Sequence, residues 1–176
     1  HLQQMLPQCQ CDTAYHEHYS YLSLTAVQRI FAANGLQVFD VQELPTHGGS
    51  LRVFAQRADT GQQPIAPAVQ QVLVAETAAG MQTADFYSQF GLQCWRIVRE
   101  LLSFLTSTAH AGHPVAAYGA AAKGNTMLNF AGVRPHLLPY VVDKNPAKQG
   151  KFLPGSRIPI LDESFLRAQQ PRYVLI

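Results

Sequence analysis

Val115-Ala116-Ala117-Tyr118-Gly119-Ala120-Ala121-Ala122-Lys123-Gly124-Asn125-Thr126 joins a short apolar run to a glycine turn and the start of a helical pattern, and this succession decides the fold. Val115 to Tyr118 reads as a strand and Lys123 to Phe130 as a helix. The same alternation continues downstream. Leu137 to Val142 reads as a strand, Arg157 to Ile160 as a short edge strand, Glu163 to Ala168 as a helix and Tyr173 to Ile176 as another strand. Strands alternating with helices predict an α/β fold, here a Rossmann-like parallel sheet with helices on its faces.

The turn at its centre has chemical meaning as well. Small residues let a ligand approach the backbone, and the following helix N-terminus offers free amides and a positive dipole end to a phosphate. The pattern matches a dinucleotide fingerprint only in part, because the second glycine of G-x-G-x-x-G is alanine here. It is not a P-loop either, since Lys123 precedes Gly124 instead of following a glycine. Asp143, ending the next strand, stands where an acidic residue holds a ribose hydroxyl in dinucleotide folds. A tight turn chosen for helix-on-sheet packing accounts for the same residues. The loop Asp143-Lys144-Asn145-Pro146-Ala147-Lys148-Gln149-Gly150-Lys151 follows at the same carboxyl edge, so Lys123, Lys148 and Lys151 could share one anionic ligand.

Upstream, Thr83 to about Ala109 carries Phe86, Phe90, Cys94, Ile97, Leu101, Phe104 or Leu105 and Thr108 at helical steps. That stripe, with Trp95 and Phe86, is expected to be core. Val69, Val72, Leu73 and Glu76 suit a short helix, and the Pro-, Gly- and Gln-rich stretch from Asp59 to Pro67 reads as a linker. The expected division is therefore 1–58 and 59–176. In the first part Ser23 is the expected N-cap of a helix through Asn34, stopped by Gly35. Leu36 to Leu44 and Leu51 to Gln56 follow as an alternating hairpin around Pro45-Thr46-His47-Gly48-Gly49-Ser50. His47, between residues that imply unusual backbone angles, is a candidate site residue.

Of the 176 residues 47% are hydrophobic and 14% charged, with a formal net charge of +2. This is a folded chain, and scattered Lys and Arg without a basic run exclude the usual pattern for nucleic acid. No apolar run reaches the length of a membrane span. Cys9, Cys11 and Cys94 are too few and too poorly spaced for a disulfide framework or a four-ligand zinc site. A reduced, cytoplasmic protein is expected. Its uncapped helical start at His1-Leu2-Gln3 and its end in the apolar run Tyr173-Val174-Leu175-Ile176 suggest a fragment of a longer polypeptide.

Tyr15-His16-Glu17-His18 packs a phenol, two imidazoles and a carboxylate into four residues. Imidazoles titrate near neutrality and a carboxylate beside one can raise its basicity, so the cluster suits proton transfer. An ordinary polar loop and a metal pair at i, i+2 are the other readings. If Tyr15, Glu17 and His18 serve one point, as the resemblance given below implies, regular structure cannot aim them there, since a strand alternates faces and a helix turns about 100° per residue. The segment is therefore expected to be irregular.

Taken together, YHEHYSYLSLTAVQRIFAANGLQVFDVQELPTHGGSLRVFAQR, YGAAAKGNTMLNF and VVDKNPAKQGKFLPGSRIPI resemble the S-adenosylmethionine-dependent C-methyltransferases that act on nucleotide-linked 4-keto-deoxysugars. The likeness covers nearly all of the chain after residue 12. It implies that residues 1–58 close a class I methyltransferase domain and that 59–176 form most of a C-terminal Rossmann-like domain. The S-adenosylmethionine site and a zinc-binding domain then lie mostly outside this chain, no metal belongs to it, and the piece alone is expected to be inactive. By this resemblance His18 is the base that removes the C3 proton, Glu17 its orienting partner, and Tyr15 a donor near the keto oxygen. The nucleotide diphosphate falls to Lys123 and the Gly119 turn, with Asn125, Lys148 and Lys151 as further candidates and His47 as another substrate-side residue. The alternative is an NAD(P)- or nucleotide-sugar-binding Rossmann module without methyltransferase activity.

Overall fold

The computed structural model describes residues 1–176. They divide into two units, His1–Cys11 with Glu17–Gln93, and Asp12–His16 with Cys94–Ile176.

In the first unit a short helix α1 (Leu2–Met5) precedes helix α2 (Leu24–Ala33), the hairpin strands β1 (Leu36–Leu44) and β2 (Ser50–Arg57), and helix α3 (Pro67–Ala78). Ser23 caps α2 as its sequence suggests: its backbone is extended (φ −89°, ψ 162°) and its hydroxyl accepts the Ala26 N–H at 3.1 Å. Gly35, at φ +71°, turns the chain out of the helix in a conformation that costs other residues. The hairpin is antiparallel from Leu36 opposite Arg57 to Leu44 opposite Ser50, and its register slips between Val38 and Asp40. That bulge corrects the expected strict alternation. Val38 and Val41 are three apart and would face opposite sides of a regular strand, yet both are buried, because the extra residue Phe39 rotates the strand between them. They pack with Leu24, Val69 and Val72 in the core of this unit.

Glu76 of α3 is buried in the same unit although its side chain is polar. It is fully buried, and its two carboxylate oxygens accept from the N–H groups of Leu24 (2.6 Å) and Thr25 (2.9 Å) and from the Thr25 hydroxyl (2.6 Å). A carboxylate at a helix N-terminus satisfies amides that have no partner within the helix and sits at the positive end of the dipole.

The long helix α4 (Ala84–His110) runs through both units in sequence, its residues from Cys94 onward counting with the second. The second unit continues with β3 (Val115–Tyr118), α5 (Ala122–Phe130), β4 (Val141–Val142), β5 (Ile160–Leu161), α6 (Glu163–Gln169) and β6 (Tyr173–Leu175). Its four strands form one parallel sheet in the order β5-β4-β3-β6. The α/β class and the parallel sheet with flanking helices are as read from the sequence. Because β3 has β4 on one side and β6 on the other, the order reverses at its carboxyl end, where ligands bind in open α/β sheets.

Three local expectations change. Leu137 to Tyr140 is not strand: Pro139 has no N–H to donate and restricts Leu138, so pairing starts only at Val141. The edge strand begins at Ile160, because Leu153 to Ile158 closes a tight turn with Arg157 at φ +58°. Trp95 is 54% exposed and stacks on Phe130 (ring centroids 5.0 Å apart); the buried stripe of α4 is Cys94, Val98, Leu105 and Thr108, and Trp95 lies one residue, about 100° of helix rotation, off it.

Candidate active site

The Tyr15-His16-Glu17-His18 segment is irregular, a bend and turn after a single 3₁₀ turn at Cys11–Thr13. Tyr15 and His16 count with the second unit. Their rings meet edge to face at 5.9 Å, and both line a cleft of about 440 Å³ in that unit. The same cleft is lined by the Ala120–Ala122 run with Asn125 and Thr126 of α5, and by Lys148 and Lys151 of the loop after β4.

Each wall has a sequence reason. Gly119 turns at φ +96° directly after β3, which aims the three alanines and the first turn of α5 along the sheet edge. Ala121 is the N-cap and has no side-chain acceptor, so the first amides of α5 are left uncovered by the chain's own side chains. Asp143 fixes the facing loop. Its Oδ2 accepts the Ala120 N–H at 2.7 Å and the Lys148 ammonium at 2.9 Å, and its Oδ1 accepts the Asn145 N–H at 2.8 Å. Lys148 also donates to the Ala120 carbonyl at 2.9 Å, and the Gln149 amide donates to the Asp143 carbonyl at 2.9 Å. Burial alone raises the Asp143 pKa, but the hydrogen bonds from Asn145, Lys148 and Ala120 outweigh it and hold the carboxyl below the ordinary Asp range.

This arrangement decides the role of Asp143. Its oxygens are spent joining the turn after β3 to the loop after β4, and the carboxylate is not presented to a ribose. The turn and loop do present amides, Asn125, Thr126 and two ammonium groups to one space, a set that suits an anion.

Of the residues singled out in the sequence, the structure brings Tyr15, Asn125 and Lys148 to this cleft, together with His16 and Lys151. Gly119 borders a second, largely apolar cavity of about 280 Å³ at the sheet's switch point, walled by Tyr118, Leu101, Met127 and Leu175. The Tyr118 hydroxyl there donates a short hydrogen bond to Glu163, which raises its pKa and keeps it protonated. Lys123 is half-buried and lines neither cavity. Glu17 and His18 belong to the first unit, Glu17 exposed and His18 half-buried with its ring 6.0 Å from Tyr21. His47 is also in the first unit, exposed in the 3₁₀ turn Thr46–Gly48 at φ +54°. Sequence reasoning missed the clamp of Asp143; the Asp-x-Asn-Pro order that builds successive side-chain turns was its available signal.

Comparison with known proteins gives the chemistry a frame. Residues 45–176 match the family model described as "C-methyltransferase C-terminal domain". The chain is 35% identical over 176 residues to the C-methyltransferase NovU of Streptomyces niveus, which covers 100% of this chain and 42% of that protein. It thus spans less than half the length of the curated relative it matches. No helix is long and apolar enough to cross a membrane. A family model matched through both the turn after β3 and the clamp loop places this protein: the chain belongs to the C-methyltransferase family, in its C-terminal domain.

Proposed function

We propose that the chain is the substrate-side part of an S-adenosylmethionine-dependent C-methyltransferase that methylates the carbon next to the ketone of a nucleotide-linked 4-keto-deoxysugar. Membership in the family implies S-adenosylmethionine as methyl donor in general. The observation that carries the finer reading is the irregular Tyr15–His18 segment, which begins beside a cleft furnished for an anion. Residues 1–58 are read as the end of the methyltransferase domain and 59–176 as the C-terminal Rossmann-like domain, in a cytoplasmic enzyme.

The chemistry needs a base, because the C3 proton must leave before carbon can act as nucleophile. The 4-ketone acidifies that proton, and its oxygen takes the electron pair as an enolate. His18 accepts the proton in this account and Glu17 holds the imidazolium that results. The Tyr15 hydroxyl donates to the enolate oxygen. Asn125 and Lys148 line the cleft that receives the nucleotide diphosphate, and Gly119 sets the turn that shapes it. S-adenosylmethionine would supply the electrophilic methyl group, the S–CH3 bond breaking as carbon attacks and S-adenosylhomocysteine leaving, and residues mostly outside this chain are expected to hold it.

Incubating the full-length enzyme with S-adenosylmethionine and a thymidine diphosphate 4-keto-deoxysugar tests the reading. A product carrying one new C-methyl group at C3 supports it. Methylation of oxygen or nitrogen instead, or no transfer to any 4-keto nucleotide sugar, would remove it.

A further inference from the structure

His16 has no task in the enolisation just described, yet it is exposed and lines the anion cleft beside Tyr15. The charges in that cleft are unequal in what they can offer. Lys148 is compensated: its ammonium spends two of its three N–H donors on Asp143 and the Ala120 carbonyl. Lys151 has no carboxylate partner, and its backbone is fixed by pairing across the sheet edge, its carbonyl accepting the Ile160 N–H at 2.8 Å. The other donors that line the cleft are Lys151, the open amides of α5 and the imidazole N–H of His16.

We infer that His16 and Lys151 are the residues that grip the diphosphate of the nucleotide sugar in this cleft, while Lys148 is a strut. The inference rests on the reading of the substrate as a nucleotide sugar. It divides the four-residue cluster by function: His16 binds the phosphate arm, and Glu17 and His18 serve the sugar carbon. Among the lysines read from the sequence as sharing an anion, it favours Lys151 over Lys123, which lines neither this cleft nor the apolar cavity beside Gly119. A diphosphate gives two anionic groups for two donating side chains, and charge-assisted hydrogen bonds to phosphate are the strong kind.

Titration calorimetry of the full-length enzyme with thymidine diphosphate and with thymidine, comparing wild type, His16→Gln, Lys151→Met and Lys144→Ala, decides the matter. His16 and Lys151 are both exposed, so these substitutions leave the fold intact. The expected result is roughly tenfold weaker binding of the diphosphate by each cleft variant, unchanged affinity for thymidine, and no effect of Lys144→Ala in the same loop. In turnover, KM for the nucleotide sugar rises while kcat at saturation holds, which separates a binding role from a catalytic one. Wild-type affinity for the diphosphate in both cleft variants would overturn the inference while leaving the methyltransferase reading intact. Failure of the wild-type enzyme to bind thymidine diphosphate or to use any nucleotide sugar would overturn both.

Discussion

Glu76 and Thr25 are joined twice, Oε2 of the buried carboxylate accepting the Thr25 N–H at 2.9 Å and its hydroxyl at 2.6 Å. Together with the Leu24 N–H at 2.6 Å, these bonds pin α3 to the first turn of α2, six residues after His18 and in the same unit. The helix that follows the proposed base is therefore anchored by a carboxylate 52 residues from Leu24 in sequence.

Removing that carboxylate strands one buried amide, that of Leu24, and one half-buried amide, that of Thr25. Glu76→Ala is expected to lower stability by about 3 kcal/mol, and Glu76→Gln, which keeps one acceptor, by roughly half as much. Thr25→Ala, losing the hydroxyl alone, should cost about 1 kcal/mol. Urea unfolding of the three variants checks the order, and a Glu76→Ala cost under about 0.5 kcal/mol would contradict it.

The Asp143 clamp predicts an acid limb. Its folded pKa is depressed, so the stabilisation is fully present above the ordinary carboxyl value near pH ~4 and is lost as pH falls through the lower folded value. Asp143→Asn should flatten that limb and cost about 2 kcal/mol at neutral pH, since the amide group turns a donor toward other donors. The Lys148 side chain is 40% exposed, so Lys148→Met should cost less, roughly 1 kcal/mol. Unfolding curves across pH compare the three proteins; an unaltered acid limb in Asp143→Asn would refute the assignment.

Two glycines separate backbone strain from crowding. Gly119 has φ +96° and open space where a Cβ would stand, so Gly119→Ala should cost only the backbone term, about 1–2 kcal/mol. Gly155 has φ +79° and faces the Asn129 side chain, whose amide donates to the Pro154 carbonyl at 2.9 Å. Gly155→Ala must displace that bond as well and should lower Tm further than Gly119→Ala does. Equal melting temperatures would refute the crowding argument.

What the sequence made legible were local signals repeated along the chain. Ser23 ahead of an apolar stripe, glycine at position 35, and the succession of strand and helix after Val115 each act within a few residues, and they gave helix α2, the hairpin and the parallel sheet. The bulge at Phe39 was hidden because a single inserted residue leaves an apolar run looking continuous. The Phe39 carbonyl instead accepts the Ala66 N–H at 2.7 Å, a contact set by the far end of the linker. Asp143 and Glu76 were illegible for the same reason: a carboxylate's partner is chosen by packing, and an acid at a strand end reads equally well as a ribose ligand or a loop clamp. In the cleft, residue types announced chemistry correctly, but only coordinates could show that His16 and Lys151 share a cavity that Lys123 does not line.

The central claim is that His18 takes the C3 proton. Solvent deuterium exchange at C3 of a 4-keto nucleotide sugar, followed by NMR with the full-length enzyme and no methyl donor added, isolates that step from methyl transfer. The account predicts exchange by wild type and a loss of about 10²–10⁴-fold in His18→Asn, the usual worth of a positioned base. Exchange at the wild-type rate in His18→Asn would contradict it.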